Sequence, residues 1–351
     1  MGRQREIKLL QEVLSQVISG QGRVVMLVGA PGIGKTRTAQ EVAAHAQRLG
    51  VRVLWGWCYE DEGAPPYWPW VQPIRSYVQQ TDPEQLRLQM GPGAANIAEI
   101  VLEVRQLLSD LEPPPTLGPE QSRFRLFDSV ATFLRQAAQA QPLMLVLDDL
   151  HWADKSSLLL LQFLVRQLEG SRLMVVGCYR DVELSPQFPL AETLPQLSRE
   201  PVFQREVLQG LSQEDTGRFI EVVVDNKPPQ ALVEAVHSRT EGNPFFTIEV
   251  VRLLSQRGAL GEGDVGEIGN IGIPPGVSEV IGQRLNALSH RCRQTLNTAS
   301  IIGREFDFRL LHTLSDRTTE NQLLEVIDEA LAAHLIEELP RRTEGYQFSH
   351  A

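Results

Sequence analysis

Residues 29–36 form a glycine-rich segment whose residue types and spacing suit phosphate binding. They read Gly-Ala-Pro-Gly-Ile-Gly-Lys-Thr and fit the pattern G-x-x-x-x-G-K-[ST]. Glycines let the backbone bend around a phosphate without Cβ clashes, so that successive N–H groups point at the anion. Lys35 can then reach the β and γ phosphates of a nucleoside triphosphate, and the Thr36 hydroxyl can bind Mg2+. We expect nucleotide contacts from Gly29, Ala30, Pro31, Gly32, Ile33, Gly34, Lys35, Thr36 and Arg37.

A second segment, far along the chain, supplies two carboxylates. The apolar run Pro142 to Leu147 ends in Asp148 and Asp149. Asp148 is the expected carboxylate that orients the Mg2+ ligands. Asp149 stands where a residue can orient the attacking water, but aspartate is one methylene shorter than the glutamate that many P-loop ATPases have there. We therefore expect slow hydrolysis, with a turnover not much above about 1 per second.

Glu60 offers another carboxylate, at the end of the second predicted strand. It is the alternative or auxiliary base for the attacking water. The competing interpretation is a solvated loop acid beside Asp61 and Glu62. The sequence leaves both open.

Short apolar runs alternate with helical patterns in the first part of the chain, which indicates an α/β fold. The order strand, glycine loop, helix is the one that a phosphate loop requires. The pattern predicts a P-loop NTPase fold, in which a five-stranded parallel sheet has helices on both faces and binds its ligand at the carboxyl ends of the strands. Strands are predicted at 23–28, 51–57, 142–148, 173–178 and 202–208, and helices at 7–18, 35–49, 120–139 and 156–168.

Two features between these strands predict local structure. The proline-rich stretch 63–73 is predicted to be an irregular loop, and inserted helices are predicted over 76–111. The helix 120–139 is amphipathic. Its predicted inward-facing residues are Phe124, Phe127, Val130, Phe133 and Leu134.

The chain after residue 209 becomes helical and predicts further domains. We expect a P-loop nucleotide-binding domain over 1–209 and a small helical lid domain over 210–257. Residues 258–274 hold six glycines and predict a linker. Helices followed by a hairpin predict an incomplete winged-helix domain over 275–351.

Composition limits the classes of function. The formal net charge is −11, with no long basic run, so direct nucleic-acid binding by this segment is not expected. No stretch approaches the ~20 apolar residues that span a bilayer, and no signal peptide is evident, so we expect no membrane contact. The three cysteines lack metal-site spacing and suit a reducing cytoplasm.

Several motifs in this order resemble the ATPase module of STAND-class signalling NTPases. The resemblance is to the bacterial branch found upstream of LuxR-type DNA-binding domains, or attached to nucleotide cyclases and protein kinases. It covers nearly the whole chain. The residues that carry it are Gly2–Glu6, Leu145–Asp154, Gly177–Asp181, Glu241–Phe246 and Tyr346–Ala351.

The resemblance implies roles for four residues. Pro244 would touch the nucleotide base, although it could simply begin a helix. Arg180 would sense the γ-phosphate, although it could form a surface ion pair. His350 would hold the β-phosphate of ADP, although it could be a solvated residue. Arg3 of the first motif would also lie at the nucleotide.

The function that the resemblance implies is an ATP-driven switch. ADP would hold a closed state, and exchange for ATP would permit self-assembly, in response to an unknown inducer or regulatory protein. An output domain would lie beyond Ala351. Transcription regulation is the favoured output. The alternatives are regulation of a nucleotide cyclase or protein kinase, and a nucleotide-dependent scaffold.

Overall fold

The computed structural model describes residues 2–59, 65–115, 117–180, 188–256, 288–303, 305–315, 319–333, 335–339 and 345–348. The chain divides into two compact units. The first comprises Met1–Phe219 with Glu241–Phe245, and the second comprises Ile220–Thr240 with Phe246–Ala351. The short segment Glu241–Phe245 thus belongs to the first unit, apart in sequence from the rest of it.

The first unit is built on a five-stranded sheet in the order β2-β3-β4-β1-β5. All neighbouring strands are parallel, as the sequence predicts. Every residue of β3 and β4 is buried, because these strands lie inside the sheet and are covered on both faces. The strands are β1 Arg23–Val28, β2 Arg52–Trp57, β3 Leu143–Asp148, β4 Leu173–Tyr179 and β5 Phe203–Val207.

Helices cover both faces of this sheet. On one face, α1 (Gln4–Ile18) and α2 (Lys35–Arg48) pack their apolar stripes on alternate residues of the central strands. Residues of the other parity pack with the remaining helices of the unit in a larger core. Those helices are α3 Trp68–Gln79, α4 Pro83–Met90, α5 Ala94–Ile97, α6 Leu102–Leu107, α7 Pro119–Ala140, α8 Lys155–Val165 and α9 Pro189–Leu197.

The proline-rich stretch corrects one prediction. It was expected to be irregular throughout, but α3 begins at Trp68 and contains Pro69 and Pro73. Pro69 is tolerated because the first helical turn has no intrahelical partner for its N–H. Trp70 then anchors the helix, since its ring is 1% exposed and its Nε1–H donates to the Ser157 carbonyl at 3.1 Å.

Helix α7 also departs from its predicted pattern at one position. Phe124 was expected to face inward but is 60% exposed, and it meets Phe163 edge-on with ring centroids 5.6 Å apart. It lies in the second turn of a helix that begins at Pro119. The other four predicted core residues of this helix are buried, namely Phe127, Val130, Phe133 and Leu134.

The second unit contains a three-stranded antiparallel sheet in the order β6-β8-β7. Strand β6 was not predicted from the sequence. In this part of the chain the sequence also predicts a helix over 277–287 and a turn over 340–344. Both lie outside the described residues, as does the predicted linker 258–274. Helices that follow β5 are α10 Gln213–Val224, α11 Gln230–Thr240, α12 Pro244–Gln256, α13 His290–Ile302, α14 Phe308–Leu314 and α15 Glu320–Ala332, and the strands are β6 Glu305–Asp307, β7 Ile336–Glu338 and β8 Gly345–Phe348.

The helices in the described parts of the chain are too short or too polar to cross a bilayer. The predicted boundaries at 209, 257 and 274 remain predictions.

Candidate functional site

The glycine-rich segment connects the carboxyl end of β1 to the first residue of α2. Gly34 immediately precedes Lys35 with φ 98°, and Gly32 has φ 73°. Both angles lie in the left-handed region, where a Cβ is strained and glycine is favoured. The loop therefore leads into the N-terminus of α2 with a backbone conformation that its glycines permit. The positive end of the helix dipole lies at this N-terminus and favours a bound anion.

Lys35 folds back onto this loop. Its Nζ donates hydrogen bonds to the carbonyl oxygens of Gly29 at 2.9 Å and Ala30 at 3.0 Å. The side chain is 6% exposed, and burial lowers the pKa of its ammonium group. An anion bound in the loop would meet a partly desolvated cation, whose attraction for phosphate is stronger than that of a solvated lysine.

Arg3 reaches the same loop from a distant part of the sequence. Its Nη2 donates to the Ile33 carbonyl oxygen at 2.8 Å, and its Nη1 pairs with Glu6 at 3.4 Å. The residue is 8% exposed, and burial lowers the pKa of its guanidinium. Arg37 behaves differently, because its side chain is 75% exposed and pairs with Glu41 along α2. Of the two predicted contacts, the structure brings the Arg3 side chain to the loop.

Asp148 joins the two sequence motifs. It ends β3, is 3% exposed, and accepts a hydrogen bond of 2.8 Å from the Thr36 hydroxyl at its Oδ2. Its Oδ1 accepts from the Asp149 N–H at 3.1 Å. Cys178 of β4 is adjacent, because the register pairs Leu147 with Gly177 one position earlier. Burial, with Asp148 next in effect, raises the pKa of the Cys178 thiol well above its ordinary value.

Asp149 has an unusual backbone and a buried histidine beside it. Its φ is 54°, a left-handed conformation that aspartate tolerates better than most residues. Its Oδ1 lies 3.9 Å from Nδ1 of His151, whose side chain is 0% exposed. Burial, followed by the charges of Arg180 and Lys35, lowers the pKa of His151 to about 3. The imidazole is therefore neutral at physiological pH.

Arg180 directly follows β4 at the carboxyl edge of the sheet. It is half-buried, and its charge acts on both His151 and Lys35. Arg180 therefore lies near Lys35 and His151, and its role as a sensor of the γ-phosphate stays a prediction from the family resemblance. His151 was not predicted. Its sequence signal is its place in the motif Leu145–Asp154, two residues after Asp149.

The segment 241–245 touches the loop as well. Asn243 donates from Nδ2 to the Pro31 carbonyl oxygen at 2.9 Å. The Phe245 N–H donates to the Gly32 carbonyl oxygen at 3.4 Å. Pro244 lies between them, half-buried, and begins α12. Asn243 was not predicted as a site residue, since only Pro244 of this motif was.

Two predicted site residues, Glu60 and His350, lie outside the described residues. Within the described ranges, no group of three His, Cys, Asp or Glu side chains could hold a metal ion. A cation at Thr36 and Asp148 would therefore need ligands from the nucleotide or from water.

A family model described as "AAA ATPase domain" matches residues 1–176. An uncharacterized protein of Rhizobium meliloti (strain 1021) is 21% identical over 365 residues, which cover 100% of this chain and 34% of that protein. The chain thus spans about a third of the length of this relative.

One solved structure extends the likeness to most of the chain. A Signal Transduction ATPase with Numerous Domains (STAND) protein with a tetratricopeptide repeat sensor, from Pyrococcus horikoshii, gives a TM-score of 0.51 at 14% identity and covers 96% of this chain and 40% of that one. A single-residue variant of RuvB of Thermotoga maritima gives 0.39 at 17% identity, covering 98% and 91%. The first match is at low identity and shows the fold alone, which is the P-loop fold that the sequence predicts.

Proposed function

The chain belongs to the AAA ATPase domain family, and on this premise we propose that it binds ATP and ADP with Mg2+ and hydrolyses ATP slowly as a signalling switch. The observation that carries the proposal is the contact between Thr36 and Asp148 at 2.8 Å. It brings the helix that begins at the phosphate loop together with the strand that ends in the paired aspartates. The ammonium group of Lys35 lies near both aspartates and interacts with their charges.

The residues present fit a magnesium ion. The Thr36 hydroxyl and the Asp148 carboxylate offer hard oxygen ligands. Their oxygen atoms are 2.8 Å apart, so both could act on the same Mg2+ ion. Mg2+ bound there would neutralise charge on the β and γ phosphates. Loop N–H groups would bind the phosphate oxygens, and Lys35 would exchange its two carbonyl partners for the phosphates.

The chain's own residues support hydrolysis as follows. Asp149 orients the attacking water, and His151 is a neutral neighbour whose Nδ1 lies 3.9 Å from the Asp149 Oδ1. Arg180 stabilises charge that develops on the transferred phosphoryl group. The short aspartate reaches the water less well than glutamate would, so the enzyme is slow. A slow step suits a timer whose ATP state must persist.

The regulatory part of the proposal concerns the rest of the chain. We assign residues 210–257 to a lid and 275–351 to a winged-helix domain, which the helices and the three-stranded antiparallel sheet of the second unit support. Exchange of ADP for ATP would open the module and permit self-assembly. The chain spans 34% of its relative and 40% of the STAND structure. The output of the switch would therefore come from other parts of a longer protein. Transcription regulation is the favoured output, and regulation of a cyclase or kinase, or a scaffold role, are the alternatives.

Titration with a fluorescent ATP or ADP analogue tests the proposal. The protein should bind both in the presence of Mg2+, and Lys35→Ala should weaken binding by about tenfold or more, since a charge-assisted contact to phosphate is lost. Lys227→Ala, at an exposed lysine, is the matched control. Failure of the unmodified protein to bind either nucleotide would overturn the proposal.

A further inference from the structure

Every backbone carbonyl of the phosphate loop from Gly29 to Gly34 accepts a hydrogen bond. The Lys35 ammonium group donates to the carbonyls of Gly29 and Ala30, and the Thr38 N–H and hydroxyl donate to that of Gly34. The other three are bound from distant parts of the chain, by Asn243 at Pro31, by the Phe245 N–H at Gly32 and by Arg3 at Ile33. Because these hydrogen bonds fix the orientation of the peptide groups, they also fix the direction of the N–H groups that would meet an anion.

Both polar atoms of the Asn243 side-chain amide form hydrogen bonds. Its Nδ2 donates to the Pro31 carbonyl oxygen at 2.9 Å, across 212 positions of sequence. Its Oδ1 accepts from the Phe245 N–H at 3.1 Å, which satisfies an N–H at the start of α12. The residue is 5% exposed. One buried amide therefore connects the loop to the first turn of this helix.

The contact between residues 241–245 and the phosphate loop leaves no room for a side chain at Gly32. A Cβ at Gly32 would lie 2.5 Å from the Phe245 Cβ and 3.1 Å from the Asn243 Oδ1. Gly32 has φ 73°, so its conformation and its surroundings both require glycine. The segment 241–245 thus rests directly on the loop.

We propose that Asn243 is a positioning residue, whose hydrogen bond to the Pro31 carbonyl oxygen holds the phosphate loop in its nucleotide-binding conformation. Nucleotide affinity then depends on the contact between residues 241–245 and the loop. This inference rests on the proposed nucleotide binding. If the segment leaves the loop, Pro31 loses its donor and the loop N–H groups are no longer fixed. Any change that moves the segment then changes affinity for ATP and ADP without touching the nucleotide.

Asn243→Ser tests this assignment. Serine is also a good residue at this position of a helix and can still accept from the Phe245 N–H, but its hydroxyl is too short to reach Pro31. We expect dissociation constants for ATP and ADP to rise about tenfold, the equivalent of one hydrogen bond of ordinary strength. The turnover at saturating ATP should be unchanged, because Asp149 and Arg180 are intact. Asn226→Ser is the matched control, since Asn226 is exposed and accepts from the Lys227 N–H at 2.8 Å.

The outcomes separate this inference from the proposed function. Equal affinities of Asn243→Ser and the Asn226→Ser control would overturn the role of Asn243 alone. A lower melting temperature with unchanged affinity would overturn it too, since Asn243 would then be merely structural. No binding by the unmodified protein would overturn both proposals.

Hydrogen exchange of the unmodified protein gives a test that does not depend on a variant folding. Added ADP should slow exchange of the amides of residues 241–245 together with those of residues 29–34, because the two segments hold each other. Slowing confined to residues 29–34 would overturn the inference.

Discussion

Thr36 and Asp148 are 112 positions apart in the chain and share a hydrogen bond of 2.8 Å at the carboxyl edge of the sheet. This contact depends on the parallel order in which β3 and β1 both border β4. Because parallel strands end at the same edge, a loop after β1 and a carboxylate at the end of β3 meet there. The topology thus creates the site from two motifs that are unrelated in sequence position.

Asp148→Asn should reduce affinity for the nucleotide in a magnesium-dependent way. The amide keeps the size of the side chain and an oxygen for Thr36, but it removes the charge that would orient the ligands of Mg2+. We expect binding of ATP to weaken by about tenfold or more in Mg2+, since a charge-assisted interaction is lost. Binding measured in excess chelator should change little, and an equal loss with and without Mg2+ would contradict the assignment.

Asp149→Asn should separate hydrolysis from binding. The substitution removes the group that orients the attacking water, so turnover should fall by about 100-fold or more. The dissociation constant for ATP should stay within about twofold, because Asp149 is not expected to hold the phosphates. Single-turnover phosphate release and analogue titration measure the two effects, with Asp128→Asn at an exposed site of α7 as the control. Undiminished turnover would move the role to another acid, such as Glu60.

The sheet and the phosphate loop could be predicted because their signals are local. Residues 23–28 form β1 with the predicted bounds, and the glycines of the next segment specify its turn. Asn243 and His151 could not be predicted in this way. Asn243 acts through a contact across 212 positions, and His151 is distinguished by complete burial beside Asp149, which no pattern of one sequence reports.

The errors in the prediction also have physical causes. Prolines at 69 and 73 suggested an irregular loop, but tertiary packing of Trp70 stabilises a helix through them. Phe124 matched the apolar periodicity of α7 and yet lies exposed against Phe163. Periodicity identifies the apolar stripe of a helix but does not say how far along the helix the core extends.

The three cysteine thiols should be unreactive in the native protein. Cys58, Cys178 and Cys292 are buried and in no disulfide. Burial raises the pKa of Cys58 and Cys178, and it raises the pKa of Cys292 to about 12. Because the thiolate is the reactive form, reaction with an aromatic disulfide reagent at pH 8 should be at least about tenfold slower than after unfolding in urea. Rapid labelling of a native thiol would contradict this burial.

His151 should make stability depend on pH. Its pKa is lowered from 6.5 to about 3 in the folded protein, mainly by burial. In the unfolded chain the imidazole regains its ordinary pKa, so between pH 6.5 and 3 the unfolded state binds a proton that the folded state does not. The resulting contribution to stability is fully present above pH 6.5 and is lost as the pH falls below it.

His151→Gln removes this titration while keeping a polar side chain. We expect the variant to be less stable than the unmodified protein at pH 7.5, by about 1 to 3 kcal/mol, because a buried and packed ring is replaced. Between pH 7.5 and 5 it should lose less stability than the unmodified protein loses. Urea unfolding at several pH values measures both slopes, with His290→Gln at an exposed histidine as the control. Parallel slopes for His151→Gln and the unmodified protein would show that the imidazole is not held neutral beside Asp149.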